Sequence, residues 1–207
     1  MKNQLFKNIL LLLLLSFELT SCYKRQFYED PDDPGLSRFT NRTYNVTSAY
    51  INSESWVTSF YSLSGPSRAQ VFRDSTSSPR DTLQITWEGG FTNRNAFSSS
   101  PWRDWPYLTI SMPIKKNFSK DDFLNLNGKI FPADSTTVTV SLSNYEFISP
   151  AVSLTGTGKI YFVYVKPGSH DREFTIAGLF EGNIGDSIHI TKGRFDYRIL
   201  PSDNNLH

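Results

Sequence analysis

Short apolar runs that alternate with polar residues occupy most of the chain from about residue 44 onward. The clearest case sets Leu83, Ile85 and Trp87 against the polar residues between them, which makes one face apolar and the other polar. This period of two predicts strands over residues 44–51, 56–61, 69–72, 82–87, 107–112, 136–142, 159–165, 173–180, 187–191 and 194–200. Turn residues separate these runs. We therefore expect an all-β fold, an antiparallel β-sandwich or barrel-like domain with one short helix.

The predicted helix follows the strand that ends near residue 112. Ser119 is the expected N-cap and Asp122 the N3 residue of a capping box, because each side chain can bond to the backbone of the other. Phe118 and Phe123 occupy the two positions of a hydrophobic staple, and Gly128 supplies the left-handed residue that ends such a helix. A helix of about two turns is expected here, sealing one open end of the sheets.

The first 21 residues have a different character. Lys2 and Lys7 precede an apolar stretch that contains an unbroken run of leucines from Leu10 to Leu15. The stretch is shorter than the roughly 20 residues that a membrane-spanning helix needs, so the pattern indicates a signal peptide over residues 1–21. Cys22, the only cysteine of the chain, follows directly.

The residues Leu19-Thr20-Ser21-Cys22 resemble the bacterial lipobox. The resemblance implies that the chain is cut before Cys22 and that acylation of its thiol anchors the protein in a membrane. Residues 178–182 (Gly-x-Phe-x-Gly) and 185–196 (Gly-Asp-Ser-Ile-x-Ile-Thr-x-Gly-Arg-Phe-Asp) resemble the closing hairpin of many uncharacterised Bacteroidota-type outer-membrane lipoproteins. Together the resemblances imply a β domain in the cell envelope, anchored in either leaflet of the outer membrane, and they carry no activity. The alternative is an ordinary secretory signal with a chance cysteine near its end.

Residues 22–42 are predicted to be a flexible tether that begins with the acylated cysteine. Between Glu29 and Gly35 the chain has two prolines, four acids and no apolar period. Such a composition cannot bury enough surface to order itself. A tether of this length spans at most roughly 65 Å, which would hold the domain clear of the lipid head groups. Residues 43–207 would then form a single β domain.

The charge balance excludes one class of partner. The chain has 21 Lys and Arg against 20 Asp and Glu, and the predicted signal peptide contains two of the former and one of the latter. The mature chain is therefore close to neutral. Nucleic-acid binding depends on a basic surface, so no nucleic-acid partner is expected. The membrane, through the lipid on Cys22, is an expected partner.

An aromatic stretch between two predicted strands is the most distinctive candidate for a binding site. Aromatic rings can stack on sugar faces while a cation and a carboxylate bond to hydroxyls, so we predict a ligand site formed by Trp102, Arg103, Asp104, Trp105 and Tyr107. The alternative is that the two tryptophans fold back over the open end of the core. The stretch is thus either a glycan site or a core plug.

Motifs for catalysis or cofactor binding are not found in the sequence. Residues 155–159, Thr-Gly-Thr-Gly-Lys, lack the spacing of a phosphate-binding loop and are interpreted as a turn before a strand. The histidines, His170, His189 and His207, lack metal-ligand spacing, and neither a nucleophile elbow nor a zinc-protease helix occurs.

The chain is therefore not expected to be an enzyme or to need a cofactor or metal. The expected function is non-catalytic binding of a glycan or partner protein at the outer membrane. A structural or assembly subunit of an envelope complex is the alternative, and a hydrolase is less favoured.

Overall fold

A computed structural model describes residues 27–58, 68–72, 79–92, 107–133, 138–144, 152–168 and 173–199. Its elements are β1 (Glu29–Asp30), β2 (Asp33–Ser37), β3 (Val46–Ile51), β4 (Glu54–Thr58), β5 (Arg68–Phe72), β6 (Arg80–Phe91), β7 (Tyr107–Lys115), α1 (Lys120–Leu124), β8 (Ile130–Phe131), β9 (Thr139–Asn144), β10 (Val152–Pro167), β11 (Phe174–Ile184) and β12 (Ile188–Ile199). For the residues in these ranges, the all-β prediction with one short helix is confirmed. Across these ranges, no helix has the length and apolar character needed to cross a membrane.

Eight strands form a closed antiparallel barrel in the order β3, β4, β6, β7, β9, β10, β11 and β12. The ring closes because β12 pairs with β3, where Ile190 lies opposite Ile51, and β11 pairs with β10. The short strands β5 and β8 lie outside this ring. β5 pairs with a part of β6 that β4 does not pair with, and β8 pairs with a part of β10 that β9 does not pair with. The sequence left a β-sandwich or a barrel open, and the structure is the barrel. Its strands follow the up-and-down order.

Aromatic side chains pack together inside the barrel. Trp87 stacks on Phe180 with ring centroids 5.5 Å apart, and Phe195 lies 5.4 Å from the Trp87 ring. Phe162 meets Phe195 edge-on at 5.9 Å. An eight-stranded barrel is only just wide enough for side chains to fill it. These rings, each almost fully buried, occupy that space.

The helix begins as its local sequence predicts, but it ends at Leu124 with Asn125 as its C-cap, three residues before the predicted end at Gly128. The Ser119 side chain accepts from the backbone N–H of Asp122, and the Asp122 carboxylate accepts from that of Ser119, which completes the capping box. Phe118 and Phe123 meet at 6.2 Å, and Gly128 has a φ of +75°. The turn after the helix bonds to β10 through the Gly128 N–H and the Phe162 carbonyl at 2.8 Å. The helix is thereby fixed against the barrel wall.

The predicted flexible tether over residues 22–42 is wrong from Glu29 onward. β1 and β2 form a hairpin, and the stretch from residue 27 to 44, here called the strap, lies over the outer wall of the barrel. Leu36 in the strap is completely buried. Gly35 allows this close contact, because a Cβ at its φ of +81° would meet the Ser55 Oγ at 2.6 Å. The folded domain therefore begins about 15 residues earlier than the sequence indicated.

The predicted turn at the glycine-rich residues 155–159 is also wrong. It lies inside β10, which pairs with β9 through residues 152–157. A Cβ on Gly158 would lie 2.0 Å from the Cγ2 of Val140, and one on Gly156 would lie 1.9 Å from the carbonyl oxygen of Asn183. These glycines permit close approach of neighbouring strands.

The two last predicted strands form one strand, β12. They are joined through a bulge between Thr191 and Arg194, where Lys192 has a φ of +51°. The bulge places Arg194 on the outer wall, beneath the strap.

Candidate functional site

The strap is held to the barrel by ion pairs at one end. The Arg194 side chain, which is 9% exposed, contacts the Asp30 carboxylate at 2.5 Å and also pairs with Asp33. It donates further to the Ser37 carbonyl at 3.3 Å. Lys192 reaches Asp33 at 2.5 Å, and its ammonium together with the Arg194 guanidinium lowers the pKa of Asp33. Asp33 is therefore held ionised against β12.

The other end of the strap is held by a single carboxylate on β12. Asp196 accepts hydrogen bonds from the backbone N–H groups of Arg42, Thr43 and Tyr44 at 3.1, 2.9 and 3.3 Å. The Thr40 hydroxyl donates to the same carboxylate. Burial raises the pKa of Asp196. Because the strap supplies all of these donors, Asp196 holds this end of the strap against the barrel.

A groove of about 490 Å³ crosses the outer wall beside the strap. Its floor is formed by outward-facing residues of β10 and β11, with β8 along one side and the strap and β12 along the other. The side chains that line the groove include Ile130, Lys159, Tyr161, Leu179, Glu181 and Lys192. We call this surface the outer groove.

Strand register aligns the floor of the outer groove into one row. Tyr161 lies opposite Ile130 on one side and opposite Leu179 on the other. Leu179 in turn lies opposite Arg194. Residues directly opposite each other on one face of a sheet are in side-chain contact range. The row therefore runs from an aliphatic end across an aromatic ring to the guanidinium that holds the strap.

A second cross-strand pair supplies charge beside this row. Lys159 lies opposite Glu181, and their charged groups are 3.4 Å apart. Both side chains are about half exposed, so each retains hydrogen-bonding capacity toward solvent. Among the described residues, no group of three or more His, Cys, Asp or Glu could hold a metal ion. The outer groove thus offers an apolar floor with polar sides.

Most residues of the predicted aromatic site fall outside the described part of the chain. Trp102, Arg103, Asp104 and Trp105 lie there, as does Cys22. Tyr107 begins β7, is half-buried, and lies opposite Glu88 and Ser143. The glycan or plug hypothesis for this stretch stays a prediction.

Sequence reasoning missed the outer groove. Tyr161 and Leu179 both fall in predicted strands, and an apolar residue on the outward face of a strand is a signal that was available. Neither residue points to a site by itself, because only the lateral order of β8, β10, β11 and β12 places them in one row.

Comparison with known proteins supplies no function for this chain. No family model matches the sequence, and searches of curated proteins and of solved structures give no significant match. Its function must therefore be argued from the fold and from the outer groove.

Proposed function

We propose that this chain is a lipid-anchored, non-catalytic binding protein of the bacterial outer membrane, and that the outer groove is its binding surface. The resemblance of residues 19–22 to a lipobox supports the anchor. The groove supports the binding role. The proposal places the ligand on the outer wall, because aromatic side chains pack together in the middle of the barrel.

The exposed apolar floor is the observation that carries the proposal. Ile130 is 57% exposed and Leu179 is 42% exposed, and they are two of only four large apolar side chains so exposed among the described residues. Apolar side chains that converge with a few polar groups are typical of ligand sites, whose volumes run from about 300 to 1,000 Å³. The outer groove, at about 490 Å³, falls within this range.

The pairing of the charged groups favours binding over proton transfer. A general acid needs a raised pKa near the working pH, whereas the pKa of Asp33 is lowered by Lys192 and Arg194. Glu181 is engaged with Lys159. These groups are suited to holding hydrogen bonds in fixed positions.

An anchor at Cys22 would hold the domain close to the membrane. Six residues, 23–28, separate Cys22 from β1, so the connection spans at most about 25 Å when extended. The ordered strap thus shortens the expected tether by more than half. The outer groove, which borders the strap, would lie near the membrane surface.

Metabolic labelling with palmitate tests the anchor. Cells that produce the full chain should incorporate label into it and retain it in the outer-membrane fraction, while Cys22→Ser should lose both. Absence of label from the unaltered chain would remove the lipid anchor from the proposal.

Site-specific photo-crosslinking in cells tests the groove. A photoreactive residue at Leu179 should form adducts that the same residue at Leu154 does not. Leu154 is the matched control, because it is 45% exposed on β10 and lies outside the groove. Equal adduct patterns at the two positions would contradict the binding role of the groove.

A further inference from the structure

We infer that the ligand of the outer groove is a short neutral oligosaccharide, an inference that rests on the proposed binding function. A sugar ring has an apolar face of C–H groups and a rim of hydroxyls. A site for it needs a flat apolar surface bordered by hydrogen-bonding groups. The following features of the groove supply both.

The floor supplies the flat surface. The Tyr161 ring is half-buried between Ile130 and Leu179, its cross-strand neighbours. These neighbours restrict the ring, so little side-chain entropy is lost when a ligand lies against it. An aromatic ring held in this way offers a face to a sugar and its phenolic oxygen to a hydroxyl.

The sides supply hydrogen bonds without net charge. Lys159 is paired with Glu181, and Lys192 with Asp33, so the positive and negative charges that border the floor cancel. Arg194 is likewise held by two strap carboxylates. A phosphate or an acidic peptide would compete with these acids for their cations. A neutral ligand complements the balanced charge and can bond to the half-exposed ammonium and carboxylate groups.

The dimensions favour a small ligand over a protein. The row from Ile130 to Arg194 crosses four neighbouring strands, which at about 4.8 Å per step is roughly 14 Å. A stable protein interface buries about 800 Å² on each partner, much more than a row of this width presents. The groove volume instead matches a ligand of a few sugar units.

Titration of the full chain with defined oligosaccharides tests this inference. The chain is purified in a detergent without a sugar head group, and calorimetry is run with malto-, cello-, manno- and chito-hexaose and with hexagalacturonate as the acidic comparison. At least one neutral hexaose should bind saturably, with an affinity that changes less than twofold between 50 and 500 mM NaCl. Binding that depends on the exposed lysines alone would weaken strongly over this range.

Matched variants locate the binding. Tyr161→Ala should weaken binding about tenfold, since one ring face is lost from the contact. Tyr164→Ala, on the same strand but outside the groove, should not. A second comparison sets Leu179→Ala against Leu154→Ala. Both leucines are exposed, so their truncation leaves the fold intact. This comparison decides the question even if the Tyr161 variant misfolds.

The other outcomes separate the two proposals. If no neutral hexaose binds, or if only hexagalacturonate binds and does so with strong salt dependence, the saccharide inference is overturned. Crosslinking at position 179 but not 154 would then leave the proposed function standing with a different ligand. Saccharide binding that survives both Tyr161→Ala and Leu179→Ala would place the site elsewhere and overturn the inference for this groove.

Discussion

Leu36→Ala distinguishes a docked strap from a flexible tether. Leu36 is completely buried on the outer wall of the barrel, where β2 contacts β3 and β4. Truncating a buried leucine removes its transfer free energy and leaves a cavity, which together cost about 2–5 kcal/mol. The strap lies at the surface and can collapse in part, so we expect a loss of about 2–3 kcal/mol in the free energy of unfolding. A leucine in a flexible tether would contribute nothing.

Chemical denaturation and limited trypsin cleavage measure this effect. The strap contains Arg38 and Arg42, and cleavage at both should accelerate in Leu36→Ala because the docked conformation is less populated. Leu154→Ala is the control, and it should change the unfolding free energy by less than about 0.5 kcal/mol. If Leu36→Ala matches the control in stability and cleavage rate, the strap is not docked in solution and the tether prediction stands.

Three further contacts in the structure can be tested by substitution. Arg194→Met removes the guanidinium that pairs with both Asp30 and Asp33, and of these two acids Asp33 keeps Lys192. A loss of about 2 kcal/mol or more is expected in denaturation at neutral pH, and a loss below about 0.5 kcal/mol would show that the pairs are not formed. The pKa of Asp122 is lowered to about 2, chiefly by Lys115, so the stability it contributes is present above its unfolded pKa near 3.8 and is lost as pH falls toward 2. Asp122→Asn should therefore flatten the curve of stability against pH in that window, whereas Ser119→Ala should lower stability by about 1 kcal/mol through loss of the cap; an unchanged curve for Asp122→Asn would contradict the assignment. Gly158→Ala should destabilise by about 1–3 kcal/mol, because its Cβ would overlap a Val140 methyl, and adding Val140→Ala should recover part of the loss relative to the sum of the single variants.

The elements that the sequence predicted correctly depend on near neighbours in the chain. The capping box of α1 joins residues three apart, so Ser119 and Asp122 were sufficient to identify it. Strands such as β6 follow from alternation within one segment, and Leu83, Ile85 and Trp87 are indeed fully buried. Local patterns of this kind do not require knowledge of the partner strand.

The features that the sequence did not predict depend on contacts between distant residues. The composition of the strap, with two prolines, four acids and no apolar period, predicted disorder, while Asp30 pairs with Arg194, 164 positions away. Closure of the barrel likewise rests on the pairing of β12 with β3. The glycines of β10 indicated a turn, and only the positions of β9 and β11 explain them as sites of close approach.

Asp33 links the strap to the outer groove, because it belongs to the strap and also lies at the border of the groove. Release of the strap would remove this carboxylate from beside Lys192 and leave the groove with an excess of positive charge. With the proposed anchor at Cys22, release would also lengthen the connection from about 25 Å to about 70 Å. Strap docking, charge balance in the groove and distance from the membrane therefore depend on the same ion pairs. A chain with Arg194→Met should for this reason differ from the unaltered chain both in trypsin cleavage of the strap and in the salt dependence of ligand binding.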